Sequence, residues 1–437
     1  MTPHAQRIHP PHARLASLQL GVTSEPTQMR VGAGLSADPD VSLATANACT
    51  QAQAGLGGER PSLVIVFYSL HHRDQGHRIA SVIRRMLNPV HVIGCSAESV
   101  VGGGTELERT PGLSILAACM PGVTFTPFTE ADLPPPDDAN ETAIAAAVGM
   151  SDQWRATLLL ADPFSVPMIR LLPALNRAKG SLGGVVVGGM ASAGKAAGMN
   201  SLILDERLKR SGAVGISLSG PVRVDTVLSQ GCRPFGPNLV VTRAKGNLIF
   251  ELGGQSAIDA VQAAVNTLDA KQRKGLSDGL FMGVAINASK PRLGRDDFLI
   301  RNVMGVRPQE GAIAVGDIVP VGATIRLHAR DATTAREDLA LLMDLQKLYD
   351  RPRGVLLITC NGRGERLFHE RHTDARAVAK AFATPMGGES LAKGGMPFDN
   401  EPLVPLAGFF AAGEIGPIAG ECFLHGQAAC AVMLREV

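Results

Sequence analysis

The chain has 437 residues, 45% of them hydrophobic, and 42 basic against 40 acidic residues give it a net charge of +2. This length exceeds what one hydrophobic core ordinarily organises, so we expect a globular protein of more than one domain. The charge balance argues against nucleic acid or an anionic membrane as the main partner, and no run approaches the roughly 18–20 apolar residues of a membrane helix, which favours a cytoplasmic location.

The first residues contain three histidines and two adjacent prolines but no apolar core, which is typical of neither a signal peptide nor an anchor. We predict that residues 1–39 form a disordered tail and leading segment. The seven cysteines are scattered and none has CxxC spacing, which favours reduced thiols over disulfides or a zinc site. Nucleotide-binding motifs are absent from the sequence, so no metal or cofactor is predicted.

Helical and strand-like patterns alternate through residues 40–178, which predicts an α/β layer. The apolar runs 63–68, 90–95, 113–120 and 156–162 are the expected strands, and the segments 40–55, 75–87, 141–150 and 166–178 are the expected helices. After residue 185 the rhythm changes, because the strands 185–187, 202–204, 213–218 and 222–228 leave no room for helices. We predict an antiparallel meander that closes a first domain at residue 230.

The segment 231–237 is rich in turn-forming residues and is predicted to begin a second domain, residues 231–437. Its expected elements are a hairpin around 245–247, a helix at 256–268, several strands, a long helix at 332–349, the strand 354–360, a helix at 373–382 capped by Thr373 or Asp374, and the final strands 403–411 and 428–434. The predicted fold is therefore α/β, with two mixed-sheet domains, each a layered sheet flanked by helices. No repeat at solenoid spacing is visible.

Cys360 ends an apolar strand and is followed by a glycine-rich turn that contains Asn361 and Arg363. Open α/β sheets bind ligands at the carboxyl ends of their strands, so these three residues are candidates for a binding site. Arg363 would lower the pKa of a nearby thiol and could bind a carboxylate or phosphate through its forked guanidinium. The alternative is that Cys360 is only a small buried side chain and that the glycines only turn the chain.

Glu414 lies within the apolar, glycine-rich stretch 408–417 and is expected to be half buried. A buried carboxylate needs a cation or several N–H groups as partners. Arg363, Arg330 and His425 are the candidates within the chain, and a ligand ammonium group would serve equally well. A structural ion pair between Glu414 and Arg363 is the alternative.

Three further positions are weaker candidates. His425 could face a ligand, although a histidine in such a run is more often a satisfied core residue. Arg330 could bind an anion together with the N-terminus of the long helix, or it could pair locally while Asp331 caps that helix. Cys95 and Ser96 end a strand of the first domain before a glycine loop and could form a second wall of the site.

Several motifs resemble those of one family. In the first half they are Ile93-Gly94-Cys95-Ser96, Val187-Gly188-Gly189 and Gly212-Ala213-Val214-Gly215. In the second half they are Ile300-Arg301-Asn302-Val303-Met304-Gly305, His328-Ala329-Arg330-Asp331, Cys360-Asn361-Gly362-Arg363-Gly364 and Gly413-Glu414-Ile415-Gly416-Pro417 with Phe423-Leu424-His425-Gly426. Over nearly its whole length the chain resembles a FIST protein, with a FIST N-terminal domain at 40–230 and a FIST C-terminal domain at 231–437.

This resemblance implies a sensory protein that binds a small ligand such as an amino acid, and a likeness to the ligand-sensing part of a eukaryotic F-box protein. No kinase, cyclase or methyl-accepting segment accompanies the two domains, so the output is expected to pass through a signalling partner. In this hypothesis Glu414 binds the ligand ammonium, and Arg363 with Arg301 or Arg330 binds its carboxylate.

Two alternatives remain open. One is a cysteine-dependent enzyme with Cys360 as nucleophile and His425 or Glu414 as base. The other is a scaffold that binds no ligand. The sequence does not identify the ligand, the partner or the oligomeric state.

Overall fold

The computed structural model describes residues 28–135, 140–276, 279–294, 297–383 and 403–437. Residues 1–27, which include most of the predicted tail, lie outside these ranges. Residues 30–36, which the sequence places in the leading segment, form the first strand. Among the described residues, no helix is both long enough and apolar enough to span a bilayer.

The first part of the chain is a β-α-β-α-β unit completed by a hairpin and a last strand. It comprises β1 (Arg30–Ser36), α1 (Val41–Leu56), β2 (Leu63–Ser69), α2 (Gly76–Leu87), β3 (His91–Ala97), β4 (Val100–Gly102), β5 (Thr105–Leu107) and β6 (Leu113–Cys119). The carboxylate of Asp40 accepts hydrogen bonds from the backbone N–H groups of Ser42 and Leu43, which fixes the start of α1. Because β2 pairs in parallel with β3 and antiparallel with β6, the order is β1-β6-β2-β3.

The same unit follows a second time. It comprises β7 (Thr124–Thr129), α3 (Glu141–Val148), β8 (Trp154–Ala161), α4 (Met168–Lys179), β9 (Val185–Met190), β10 (Leu202–Leu204), β11 (Arg207–Lys209) and β12 (Ala213–Ser219). Its strands are ordered β7-β12-β8-β9, which reproduces the order of the first unit. We call the two units repeat 1 and repeat 2.

Repeat 3 begins with β13 (Val222–Gln230) and is interrupted at once by an inserted sheet, residues 232–330, which we call the insert. The insert comprises β14 (Cys232–Lys245), β15 (Leu248–Leu252), β16 (Gln255–Ser256), α5 (Ala257–Asn266), α6 (Ala270–Gly275), β17 (Leu280–Ala285), β18 (Phe298–Arg307), β19 (Ala312–Val315) and β20 (Thr324–Arg330). Its seven strands form a sheet of their own.

Repeat 3 then resumes after the insert. It contains α7 (Ala332–Gln346), β21 (Gly354–Cys360), α8 (Glu365–Phe368), α9 (Thr373–Ala381), β22 (Leu406–Ala411), β23 (Glu414–Ile418), β24 (Glu421–His425) and β25 (Ala428–Glu436). The order β13-β25-β21-β22 matches the two earlier repeats. The backbone of the chain is therefore a threefold repeat, which the sequence did not reveal.

The hairpin of each repeat pairs into the sheet of a neighbouring repeat. Strand β4 pairs with β22, β10 pairs with β3, and β23 pairs with β9. The three sheets are thus joined in a cycle, and their inner faces contribute to one buried apolar core, in which Phe67 stacks on Phe409 with ring centroids 4.5 Å apart. Such exchange makes the repeats mutually dependent, because each sheet is completed by chain from another repeat.

A glycine recurs at the same place in the third strand of each repeat. A Cβ atom at Gly94, Gly188 or Gly408 would lie 2.1, 1.8 or 1.9 Å from a carbonyl oxygen of the adjacent strand, those of Val66, Leu159 and Leu357 respectively. Real Cβ atoms do not approach oxygen so closely, so these positions accept only glycine. This shared demand is the clearest trace of the repeat in the sequence.

The predicted mixed α/β class, with helices flanking the sheets, is confirmed. The predicted meander at 185–228 is wrong, because these strands enter three different sheets. The segment 231–237 is not a turn but the start of β14, which is irregular between Phe235 and Leu239. The sheets also pass across residue 230, since β13 before it pairs with β25 after it. The long helix ends at Gln346 rather than at residue 349.

Candidate functional site

The carboxyl ends of the third strands meet at one end of the shared core. The N–H of Met190 donates to the carbonyl of Gly413 at 2.9 Å, and that of Ala412 donates to Met190 at 3.0 Å. The N–H of Ser192 donates to the carbonyl of Ser96 at 3.2 Å. The exchanged hairpins therefore place the strand ends of all three repeats beside one another, as the sequence predicted for a ligand site in an α/β sheet.

Cys360 and Glu414 lie side by side at this end of repeat 3. The Cys360 thiol accepts from the N–H of Gly362 at 3.4 Å, and Oε2 of Glu414 accepts from the N–H of Ala428 at 3.2 Å. Burial raises the pKa of Glu414 well above its usual value, and burial together with the nearby Glu414 carboxyl raises the pKa of Cys360 to about 12. The thiol is therefore protonated near pH 7, and burial favours the protonated form of the carboxyl.

Arg363 is buried and its charge is already matched within the protein. Its Nε and Nη2 atoms donate to the two carboxylate oxygens of Asp374 at 2.7 and 2.8 Å, and the hydroxyl of Thr359 donates to the same carboxylate at 2.9 Å. The predicted capping of α9 by Thr373 or Asp374 is wrong, because His372 occupies the N-cap position and the Asp374 carboxylate binds Arg363. The ion pair considered between Arg363 and Glu414 is not formed within the described part of the chain.

Five buried polar atoms around this point have no hydrogen-bond partner among the described residues. They are Nε of Arg330, Oδ1 of Asn361, Nη1 of Arg363, Oε1 of Glu414 and Oε1 of Gln427. We call these residues, with Cys360, the polar cluster. Native proteins leave few buried polar groups unpaired, because each unpaired group costs about 1–3 kcal/mol. Five such atoms in one place are a feature to be explained.

The glycines of the cluster bring these groups together. A Cβ atom at Gly231 would lie 3.0 Å from Nη1 of Arg363 and 2.9 Å from the carbonyl of Gln427, and one at Gly362 would lie 2.6 Å from Oε1 of Gln427. Arg330 donates from Nη2 to the carbonyl of Gly362. A side chain at either glycine position would therefore collide with these polar groups, so their close approach depends on glycine.

The polar cluster lies where the chain enters and leaves the insert. Gly231 precedes β14 and Arg330 ends β20, and the N–H of Asp331 donates to the carbonyl of Gly231 at 3.2 Å. Asp331 accepts from the N–H of Thr334 at 2.7 Å and caps α7, as the sequence predicted. The Arg330 guanidinium is directed to the polar cluster, where it binds the carbonyl of Gly362.

Arg301 and His425 line a separate and larger space. A cleft of 1050 Å³ lies between α4, the β23–β24 hairpin and the insert, and we call it the insert cleft. Nε of Arg301 donates to Asp317 at 2.5 Å, and its Nη1 donates to the carbonyl of Leu424 at 3.0 Å. Nε2 of His425 donates to the carbonyl of Gly416 at 3.0 Å, and burial lowers the pKa of the ring to about 4.

The cleft and the polar cluster are adjacent along the chain without sharing residues. Gly413 and Gly426 line the cleft, and the residues that follow them, Glu414 and Gln427, belong to the cluster. The predicted site residues of repeat 3 and the insert thus divide into two groups. Arg330, Asn361, Arg363, Glu414 and Cys360 belong to the cluster, and Arg301 and His425 belong to the cleft.

Cys95 and Ser96 have ordinary structural surroundings. Cys95 lies in the shared apolar core, where burial raises the pKa of its thiol. The Ser96 hydroxyl accepts from the N–H of Ser201 at 2.9 Å and so ties β3 to the chain entering β10. Their hydrogen bonds are made within the protein, and neither residue has an unpaired atom directed at the polar cluster.

Asp374 and Gln427 are not among the predicted site residues. Asp374 is predicted as a helix cap, and its contact with Arg363 depends on β21 and α9 being neighbours in space. Gln427 follows Gly426 directly in the FIST-like motif, and this position is the signal that could have identified it. Its φ of +60° is unusual for a residue with a side chain, and such backbones concentrate at functional positions.

Comparison with known proteins gives relatives over most of the chain. An uncharacterized protein of Mycobacterium tuberculosis (strain ATCC 25618 / H37Rv) is 37% identical over 404 residues, which cover 91% of this chain and 97% of that protein. An uncharacterized protein of Mycobacterium bovis (strain ATCC BAA-935 / AF2122/97) is 36% identical over 404 residues, which again cover 91% of this chain and 97% of that protein. The crystal structure of cyanuric acid hydrolase from A. caulinodans covers 94% of this chain and 99% of its own, but at 9% identity and a TM-score of 0.31 it carries no argument.

The family comparison is more informative than these individual relatives. The FIST N domain matches residues 62–255, and the FIST C domain matches residues 257–417. FIST domains are described as small-ligand sensory domains. Together the two matches span well over half of the sequence and contain the strand ends described above, and on this ground the chain belongs to the FIST family.

Proposed function

We propose that this protein is a sensor that binds an amino acid or a similar small polar metabolite at the polar cluster and passes its state to a partner protein. Membership of a family of small-ligand sensory domains supports the general role. The observation that carries the specific proposal is the group of five unpaired buried polar atoms around Cys360 and Glu414.

The chemistry of those atoms suits a ligand with both donors and acceptors. Nη1 of Arg363 and Nε of Arg330 are donors, and a ligand carboxylate would accept their hydrogen bonds. Oε1 of Glu414, Oδ1 of Asn361 and Oε1 of Gln427 are acceptors, which a ligand ammonium group would satisfy. An ammonium group beside Glu414 would lower the pKa of that carboxyl and favour its ionised form. Ligand binding would thus remove the penalty of the unpaired groups.

The position of the cluster favours transmission of the bound state. Arg330 ends the last strand of the insert, and Asp331 caps α7, which packs against the sheet of repeat 3. A ligand bound to Arg330 would therefore contact the junction between the insert and the repeats. A change in the orientation of the insert is the most direct signal that a partner could detect. The likeness to the ligand-sensing part of an F-box protein stays a prediction.

The enzymatic alternative has less support in the geometry. A cysteine nucleophile acts as the thiolate, and the pKa of Cys360 is raised to about 12 by burial and by Glu414. His425 is a poor base for this thiol, because burial lowers the pKa of its ring to about 4 and because it lines the insert cleft rather than the polar cluster. The arrangement suits binding better than covalent catalysis.

A thermal-shift screen over the amino acids and related polar metabolites tests the proposal. A ligand that binds only the folded protein stabilises it by about 2.7 kcal/mol when present at one hundred times its Kd, and raises Tm. Glu414→Gln should reduce the ligand-induced shift by removing the ionisable group. Cys360→Ala should retain the shift if the thiol only lines the site.

Asp162→Asn is the matched control for Glu414→Gln. Asp162 is also buried, but its two oxygens accept from Asn200 at 2.9 Å and Ser165 at 2.7 Å, and it belongs to repeat 2. This variant should lower Tm while keeping the ligand-induced shift. The proposal fails if no polar metabolite shifts Tm, or if Glu414→Gln leaves the shift of a positive compound unchanged.

A further inference from the structure

The insert cleft has properties that differ from those of the polar cluster. Ligand pockets of about 300–1,000 Å³ generally take drug-sized molecules, and the cleft measures 1050 Å³. A single amino acid would leave most of this space unfilled. The cleft is therefore too large to be explained by the ligand proposed for the cluster.

The walls of the cleft are largely apolar and come from three parts of the fold. Helix α4 contributes Met168 and Leu172, the insert contributes Ile300, and the hairpin contributes Phe423 and Leu424. The cleft is therefore formed by packing of the β23–β24 hairpin and the insert against α4 of repeat 2. An apolar ligand that covered these walls would remove apolar surface from water, which favours binding.

Large apolar side chains stand exposed on both sides of the mouth. Ile169 on α4 is 52% exposed, and Met304 and Ile318 on the insert are 66% and 60% exposed. All three line the cleft. Contiguous exposed apolar side chains around a concave site mark a binding surface more often than scattered ones do.

The charged groups of the cleft are paired or balanced. The Arg301 guanidinium binds Asp317 at 2.5 Å, and that of Arg177 binds Glu141 at 3.1 Å. The charged lining residues are Arg177, Arg301, Asp317 and Glu421, two cations and two anions. Both lining arginines are therefore already paired with carboxylates, and Glu421 adds a further negative charge. This arrangement disfavours an anionic ligand, and we take an uncharged one as the occupant.

His425 adds a directional requirement. Because Nε2 donates its proton to the Gly416 carbonyl and burial lowers the pKa of the ring to about 4, Nδ1 carries no proton and can only accept. A ligand donor would satisfy it. We propose that the insert cleft is a second ligand site, which takes an uncharged amphipathic molecule with a drug-sized apolar body and a hydrogen-bond donor for His425.

The probe N-phenyl-1-naphthylamine has this chemistry, because it is uncharged, apolar and carries one N–H donor, and its fluorescence rises in apolar sites. It should bind saturably to the full chain. Its sulfonated relative 8-anilinonaphthalene-1-sulfonate has the same ring system with an added negative charge and should bind at least tenfold more weakly. The hydrocarbon 1-phenylnaphthalene lacks the donor and should displace the first probe only at several-fold higher concentration.

Variants at the exposed rim place the probe in the cleft without disturbing the core. Met304→Glu and Ile169→Glu should each weaken the binding of N-phenyl-1-naphthylamine about tenfold, a change of about 1.4 kcal/mol. Gly426→Leu should block it, since a Cβ atom at Gly426 would project into open space. Leu341→Glu on α7, at a position 63% exposed and away from the cleft, should leave binding unchanged.

The inference is overturned if the folded protein does not bind the probe, if the rim variants bind it as the parent does, or if Leu341→Glu weakens it equally. Equal affinity for the sulfonated relative would overturn the assignment to an uncharged ligand. Glu414→Gln should bind the probe normally, so a failure at the polar cluster and a failure at the cleft give different results.

Discussion

Repeats 1 and 3 place the same strands at the same end of the core but use their polar groups differently. In repeat 1 the hydroxyls of Ser69 and Ser96 each accept from a backbone N–H, at 3.0 and 2.9 Å. In repeat 3 the corresponding region holds Glu414, Arg363 and Gln427, each with an unpaired buried atom. Since the backbone is shared, the difference lies in the side chains. At its strand ends repeat 1 pairs these two hydroxyls within the protein, whereas repeat 3 leaves an atom of each of its three side chains without a hydrogen-bond partner among the described residues.

The largest loss of stability is expected from removing Asp374, the carboxylate that pairs with the buried Arg363. Asp374→Ala leaves the buried Arg363 guanidinium without its carboxylate, which should cost about 3–5 kcal/mol. Urea unfolding measures this loss. Glu98→Ala is the control, because it breaks a partly exposed ion pair with Arg366, expected to cost less than about 1 kcal/mol. Similar losses in the two variants would contradict the assignment of Asp374 as the buried counter-ion.

Replacing the recurrent third-strand glycine by alanine should destabilise the protein to a similar extent in repeats 1 and 3. Gly94→Ala and Gly408→Ala each force a Cβ atom against a carbonyl oxygen at about 2 Å, and overpacking of this kind costs roughly 1–3 kcal/mol. Thermal unfolding should show a lower Tm for both. Gly183→Ala is the control, because a Cβ atom at Gly183 would have no neighbour within 4 Å and its φ lies outside the left-handed region. A harmless substitution at one of the two strand positions would break the equivalence of the repeats.

The hairpin of repeat 1 brings a titratable group to repeat 3. Glu106 accepts from the N–H of Ala375 at 2.8 Å, and burial, together with the charge of Asp374, raises its pKa to about 8. The folded protein therefore holds a proton that the unfolded chain releases above about pH 4.5. This contribution to stability is fully present below pH 4.5 and is lost as the pH rises through 8.

Glu106→Gln should remove that pH dependence. Between pH 5 and pH 9 the parent should lose about 4 kcal/mol of stability that the variant keeps, because the pKa of Glu106 lies near 8 in the folded protein. Urea unfolding at the two pH values measures the change. Parallel curves for parent and variant would show that Glu106 does not hold its proton in the folded state.

The smallest changes in stability are expected from removing single polar groups, one that is hydrogen-bonded and one that is not. Ser96→Ala removes the acceptor for the N–H of Ser201 and should cost about 1–2 kcal/mol. Gln427→Met removes an amide whose Oε1 has no partner, and should change stability by less than about 1 kcal/mol in either direction. Chemical denaturation compares them directly. The contrast between the repeats fails if Gln427→Met is the more damaging change.

Local patterns predicted much of the secondary structure and part of the site. Apolar runs identified the strands ending at Ser69, Cys360 and Ala411, because continuous burial on both faces of a sheet leaves a continuous apolar sequence. Asn361, Arg363 and Glu414 are identifiable because they are polar residues in glycine-rich stretches that follow such apolar runs. The sequence did not predict the partner of Arg363, which is Asp374, eleven residues further along the chain. That contact depends on how a helix packs against its sheet.

The sequence by itself determined the FIST resemblance, the α/β class and the placement of Cys360 and Glu414 at strand ends, since short motifs and hydrophobic periods are local properties. Only the tertiary structure decided that three repeats exchange their hairpins, that Glu106 lies beside an α9 residue 269 positions away, and that Arg301 faces a cleft apart from Arg363. Strand pairing across such distances follows from the burial of whole sheets around a common core, and no local window of sequence records it.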